Sequence, residues 1–258
     1  MYRLLVNGDD FGLTRGVNHG IVDCFLHGVL RSTTLMGNGE AFDHALALAF
    51  DHPELRVGIH LNATGGRPLT GCAGLTGEDG RFCGKSALWG ALNGEGAEEI
   101  LDQIRDEWWA QADRCLSGGL VVSHLDSHHY VHGHPKLRPL IGELARALDL
   151  PVRIPLWENR FCPEGLGEGV ALLSDAFYRG FYKAGLSARW WEDLEIFCRE
   201  NQVPEGALVE MMCHPGYLDL DLAECSSYSI HRMRELRILC SGDRGWQGKF
   251  LLAQEPAR

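Results

Sequence analysis

Short apolar runs alternate with amphipathic stretches along most of the chain. Arg3 to Asn7 is a compact β-type run, and Gly16 to Gly28 then spaces Val17, Ile21, Val22, Phe25 and Leu26 at helical intervals. Ser32 to Asn38 reads as a strand, Ala41 to Phe50 as a helix, and Val57 to Asn62 as a third strand. Thr64 to Gly96 breaks this rhythm with many glycines and is predicted to be a long loop over one face of the fold. The pattern then resumes with an acid-started helix from Ala97 to Cys115, a strand from Val121 to His128, a helix from Pro135 to Leu148 and a brief strand from Val152 to Pro155. A second irregular stretch, from Trp157 to about Val170, leads into helical material up to about Asn201. A late strand at Leu208 to Cys213 and a last helix at Ile230 to Cys240 complete the reading. Such alternation predicts an α/β fold with a parallel sheet and crossover helices. With no repeat and no linker, one domain over 1–258 is expected, with loop excursions near 64–96 and 157–170.

Charge and cysteine content narrow the partners. Lys and Arg number 24 against 35 Asp and Glu, a net charge of −11, so the surface repels polyanions and neither nucleic acid nor an anionic membrane is expected as a partner. No segment approaches the roughly 20 apolar residues of a membrane span, and the apolar start is too short for a signal peptide. The 9 cysteines include no C-x-x-C pair, which argues against a disulfide framework or a Cys-type zinc site and fits a reducing cytoplasm.

Candidate chemistry sits where the predicted strands stop. Those stops are Asp9-Asp10, Asn38, His60, His124-x-Asp126-x-His128, Arg153 and His214. A lone polar residue at a strand end is ordinary, but six stops enriched in His and Asp are not, and in a β/α barrel they would converge on one mouth. Two adjacent carboxylates in a confined pocket call for a cation or a shared proton, unless they merely form an Asx turn or cap a helix. Period-2 spacing places His124, Asp126 and His128 on one strand face, whereas a helix starting there would group His128 with His132. Two imidazoles and a carboxylate suit a zinc-like divalent ion. His60 taken alone reads as a core histidine, and His214 before Pro215 as an acid, a base or a turn residue. Other templates fail: Gly80 to Ser86 lacks the Walker spacing, and there is no G-x-S-x-G, H-E-x-x-H or G-x-G-x-x-G. The paired tryptophans at 108–109 and 190–191 read as packing residues.

Together, Asn7-Gly8-Asp9-Asp10-Phe11-Gly12-Leu13, Ser32-Thr33-Thr34, Gly58-Ile59-His60-Leu61-Asn62, Gly66-Arg67-Pro68-Leu69-Thr70, His124 to His129 with His132, and Met212-Cys213-His214-Pro215 resemble the YdjC-like carbohydrate deacetylases. Pro-Leu-Thr followed by Gly74-Leu75-Thr76 is especially similar to the chitooligosaccharide branch. The resemblance covers about residues 3 to 240. It implies a distorted β/α barrel of the polysaccharide deacetylase-like type, using one divalent metal, Zn2+ or Mg2+, to remove acetyl from N-acetylated amino sugars. By position it implies Asp10, His60 and His128 as metal ligands, Asp9 as general base and His214 as the residue assisting the departing amine. Gly8 stands where the family usually has Ala, and Tyr130 lies in a stretch often richer in His or Gln.

The chemistry suits these residue types. A bound divalent ion lowers the pKa of its water and polarises an amide carbonyl, a base such as Asp9 takes the water proton, and a protonated His214 serves the leaving nitrogen. The expected substrate is a small N-acetylglucosamine oligosaccharide, a chitin disaccharide or its phosphorylated form. Arg67 and Arg153 are expected at the mouth with His132 as a further contact, and the 65–96 segment is long enough to close over a short glycan. A lipid-linked glucosamine, a metal-free glycosidase using Asp9 and Asp126, and a non-hydrolytic metal- or sugar-binding regulator are the competing readings. A homodimer stays open.

Overall fold

The computed structural model describes residues 1–158, 160–182 and 186–253. Its centre is β1 (Tyr2–Phe11), buried without interruption from Leu4 onward because both edges and both faces are covered. β2 (Ser32–Leu35), β3 (Arg56–Leu61) and β4 (Val122–Ser127) follow one another on one side of β1, all in parallel. On the other side lies β8 (Leu208–Cys213), and outside it β7 (Ala176–Tyr178), again parallel. The curl nearly closes. Val152 bridges both Leu125 of β4 and Leu172, and the chain from Leu172 runs directly into β7, so one segment spans the gap between Val152 and β8. The sheet is thus a distorted, curled β/α barrel. β5 (Leu156–Trp157) and β6 (Arg160–Phe161) form a separate antiparallel pair, and β9 (Phe250–Leu252) joins the early half of β1 that β2 leaves unpaired.

The helices packed around it are α1 (Arg15–His27), α2 (Phe42–Asp51), α3 (Lys85–Asn93), α4 (Ala97–Ser117), α5 (Arg138–Leu148), α6 (Trp190–Glu200), α7 (Leu220–Cys225) and α8 (Ile230–Leu239). α1 starts where Thr14 accepts a hydrogen bond from the Val17 N–H, and it buries Val17, Ile21 and Val22 against β1. α4 buries Ile104, Trp108, Ala112 and Cys115, so the first Trp of its pair is a packing residue.

Several expectations are corrected. The stretch 64–96 is not all loop, since α3 lies within it. Of the expected helical material between 170 and 201, only α6 is helical among the described residues, and β7 stands inside the range; 183–185 lie outside the described residues. Val152 to Pro155 keeps ladder contacts only at Val152 and the Arg153 N–H, because the flanking Pro151 and Pro155 have no N–H to give. The irregular stretch after Trp157 contains β6 of the small hairpin. α7 and β9, six and three residues long, are too short to show a period.

Candidate active site

The two neighbouring carboxylates face different ways for a backbone reason. The β1–β2 register slips between Gly8 and Phe11, and within that bulge Asp10 adopts φ of 71°, a left-handed conformation that Asp tolerates better than most residues. Asp9 is thereby directed at Arg153 and Asp10 at two histidines.

Asp10 Oδ1 lies 3.1 Å from His60 Nε2 and 2.7 Å from His128 Nδ1. One ligand atom from each of the three residues falls within 4.8 Å of the others. His60 comes from β3, and its Nδ1 meets Asp126 Oδ1 of β4 at 2.6 Å, while Thr34 donates to the other Asp126 oxygen at 3.1 Å. Burial lowers the His60 pKa, but Asp126 and Asp10 overcome that and lift it to about 10, so a cation is wanted between these carboxylates. The donor set fits a zinc-like ion: one carboxylate, two imidazoles, and a buried acid fixing the tautomer of His60. Burial pushes Asp10 up while His128 and Arg232 pull it well below the carboxylate range. Arg232 Nη2, from α8, is 2.6 Å from Asp10 Oδ2.

Asp9 is gripped by Arg153 through two contacts of 2.7 Å, and Asn7 donates to its Oδ1 at 2.9 Å. The same guanidinium also reaches Asp126 and Glu210, each at 2.7 Å. Burial raises Asp9, but the charge and hydrogen bonds of Arg153, with His60 and His214, together outweigh it and hold the carboxyl at about 2. Glu210 is left at about 7, since its burial outweighs the same cation.

His214 follows β8. Glu235 of α8 accepts its backbone N–H and, at 2.5 Å, the hydroxyl of Tyr228. Burial holds the His214 imidazole at about 4 against the pull of Asp10 and Asp9, so it is neutral at rest. A cavity of about 550 Å3 opens on Asp10 and a second of about 310 Å3 on Asp9 and His60; His128, His129, Tyr182 and His214 line both.

Other expected residues fall elsewhere. Arg153 is fully buried beneath Asp9 and does not reach the mouth. Arg67 is exposed and turned away, its guanidinium on the Asp79 carbonyl. His132 lies outside both cavities, fully buried with Nδ1 against Ser127 Oγ at 2.6 Å, because the turn from His128 to Gly133 kinks at His129 and Tyr130 and separates it from His128. His124 is not in the ligand set; its ring packs against Gly58, where a Cβ would sit 2.6 Å away. Asn38 holds the carbonyls of Gly65 and Arg67, and the Glu107 carboxylate takes the N–H groups of Leu69 and Thr70. These bonds pin residues 65–70 beside the larger cavity, whose wall includes Gly65 and Gly66. Lys85 and Arg179, which the sequence reading overlooked, line the smaller cavity.

The buried groups predict a stability maximum near pH 6.5 for the metal-free protein. Burial is the main cause that holds His129 and His132 at about 3 and His214 at about 4. Unfolded, each would bind a proton below about 6.5, so their contribution is lost as the pH falls from there. Glu210 at about 7 and Glu235 at about 8, both raised by burial, retain protons that the unfolded chain releases near 4.5, and their contribution is lost as the pH rises. The histidines held low outnumber the glutamates below pH 6.5; above it the glutamates are joined by His60, which at about 10 keeps a proton that the unfolded chain releases near 6.5, so stability falls as the pH rises. Urea midpoints across this range check the expectation, which a profile still rising from pH 6.5 to 8 would contradict.

The parallel barrel thus gathers at its strand ends a buried Asp-His-His set that could hold a metal ion, beside an arginine-held aspartate. Residues 3–244 match the YdjC-like protein family, and the chain belongs to that family. It is 42% identical over 236 residues to a carbohydrate deacetylase of Geobacillus stearothermophilus, covering 91% of this chain and 88% of that one. A carbohydrate deacetylase of Vibrio cholerae is 40% identical over 239 residues, with 93% and 88% covered. Among solved structures, a protein of Enterococcus faecalis provisionally named for cellobiose-phosphate cleavage superimposes with a TM-score of 0.84 at 30% identity, covering 98% of this chain and 97% of its own. The lactam utilization protein of Thermus thermophilus shares the fold at a TM-score of 0.52 and 15% identity, with 98% and 99% covered.

Proposed function

We propose that this protein is a carbohydrate deacetylase that removes N-acetyl groups from small N-acetylglucosamine-containing oligosaccharides with one divalent ion, Zn2+ or Mg2+. The observation that carries this reading is the convergence of Asp10, His60 and His128 beside an aspartate whose carboxylate is held by Arg153. Asp10, His60 and His128 would hold the ion, which when bound polarises the amide carbonyl and acidifies water.

The chain's own groups then order the proton transfers. Asp9, ionised throughout the working range, takes a proton from the attacking water through the carboxylate that Arg153 orients. His214 lines the same cavity as Asp9 and is the residue placed to carry the proton onward. His214 passes it to the departing nitrogen, which is more basic than either. The neutral resting imidazole therefore suits a relay that is charged only during turnover. Acetate release with and without a chelator tests the reading.

The pinned stretch at 65–70 beside the larger cavity favours short glycans over polymer. Lys85 and Arg179 on the smaller cavity favour a phosphorylated disaccharide among the substrates, in keeping with the cellobiose-phosphate name of the Enterococcus faecalis relative. Replacing both by Met should lower kcat/KM on the phosphorylated disaccharide by about 10-fold or more, since charge-assisted bonds to phosphate are strong, with little change on the unphosphorylated sugar. Equal losses on both sugars would remove the phosphate role. A lipid-linked glucosamine is the second reading and would show as preference for a lipid-bearing substrate.

A further inference from the structure

Cys24 and Cys240 take no part in the site, yet their sulfurs lie 3.6 Å apart across 216 positions of sequence. Cys24 is in the last turn of α1, and Cys240 caps the C-terminal end of α8. The two helix ends are pressed together at Gly28, where a Cβ would sit 2.6 Å from the Leu239 carbonyl oxygen. A bare glycine is therefore what allows α1 to end against α8 and bring the thiols together. Cys24 is fully buried and Cys240 half-buried, so only the second is open to a small reagent. A sulfur–sulfur bond needs an approach of roughly 1.5 Å from this separation, a movement of the order that side-chain rotation provides.

We propose that Cys24 and Cys240 are a modification site at which a peroxide forms a reversible intramolecular disulfide tying α1 to α8. The Cys240 thiolate attacks the peroxide O–O bond, which breaks to give a sulfenic acid on Cys240 and hydroxide, or alkoxide from an organic peroxide. The Cys24 sulfur then attacks the oxidised sulfur; the S–S bond forms, the S–O bond breaks, and the Cys24 proton leaves with the oxygen as water. The peroxide accepts the two electrons. The hydrogen bond with Cys24 draws the Cys240 thiol below its ordinary value despite burial, while burial raises Cys24 well above it, which makes Cys240 the sulfur that reacts first. α8 is also the helix whose Arg232 holds Asp10 and whose Glu235 holds His214, so the bond would brace the element behind the site.

The test treats the reduced full-length protein with hydrogen peroxide, then denatures, alkylates and maps the peptides. The expected result is loss of both alkylated positions, a cross-linked peptide joining Cys24 to Cys240, a mass lower by about 2 Da, and restoration of all three by a thiol reductant. The oxidised protein should also melt at a higher temperature, because a long span of unfolded chain is closed. In Cys24→Ser the cross-link should vanish and Cys240 should proceed to sulfinic acid. Alkylation of both Cys24 and Cys240 persisting while the exposed Cys83 and Cys225 are oxidised would overturn the proposal. So would wild-type Cys240 ending as sulfinic acid without a cross-link.

Discussion

Asp9→Asn should retain the bound divalent ion and lose roughly 10²–10⁴-fold in turnover, the range typical of a lost general base. The substitution preserves size and removes the proton acceptor. Metal content should be kept because both Asp9 oxygens are taken by Arg153, with Asn7 on one of them, and Asp9 groups with His60 and Asp126 and not with the Asp10, His60 and His128 set. Asn can satisfy one guanidinium N–H but not both, so the variant should also be somewhat less stable. Metal analysis alongside single-turnover acetate release separates these effects. Full metal occupancy with unchanged turnover would remove Asp9 from the proton transfer, and parallel loss of metal and activity would make it a ligand.

Arg153→Met should be the most destabilising single change at the site. Asp9, Asp126 and Glu210 all lean on one guanidinium that is wholly buried. Removing one partner of a buried ion pair costs on the order of 3–5 kcal/mol, because the remaining charges are left uncompensated. Asp9 would then lose both its orientation and the charge that keeps it ionised, so activity should fall with stability. Arg153→Lys keeps the positive charge but cannot present the same fork to Asp9 together with contacts to Asp126 and Glu210, and should fall between wild type and Arg153→Met. Urea unfolding at neutral pH gives the ordering. An Arg153→Met protein as stable as wild type would show that these carboxylates are protonated or otherwise paired in solution.

Much of this arrangement was legible in the sequence. The strand–helix alternation marked a parallel α/β architecture because buried parallel strands give short apolar runs and their connections give amphipathic ones. The strand ends with Asp10, His60 and His128 could be read as convergent because parallel strands aim their C-terminal ends at one mouth. The bulge that parts Asp9 from Asp10 had no such signal, since a register slip depends on the neighbouring strand. Arg153 was misplaced for a related reason: an arginine in an apolar run reads as an exposed strand end until its partners are known. Glu210 inside Leu208 to Cys213 was the visible counterpart, a charge in a buried strand that needs a cation. Arg232 and Glu235, spaced i and i+3 on α8, look like surface helix charges in sequence, and only the packing of α8 turns them toward Asp10 and His214. Lys85 and Arg179 lie far apart in the chain and become one cavity wall only when the barrel curls.

The central claim is that the Asp10, His60 and His128 set serves amide hydrolysis on a small amino sugar. The most direct measurement is acetate release from N-acetylglucosamine disaccharides, phosphorylated and not, by metal-reconstituted protein with and without a chelator. Stoichiometric release of acetate and a free amine is expected, abolished by the chelator, restored by added Zn2+ or Mg2+, and absent in His60→Ala, which should no longer hold the ion. Cleavage between the sugars without acetate, or acetate release indifferent to the chelator and retained in His60→Ala, would contradict it.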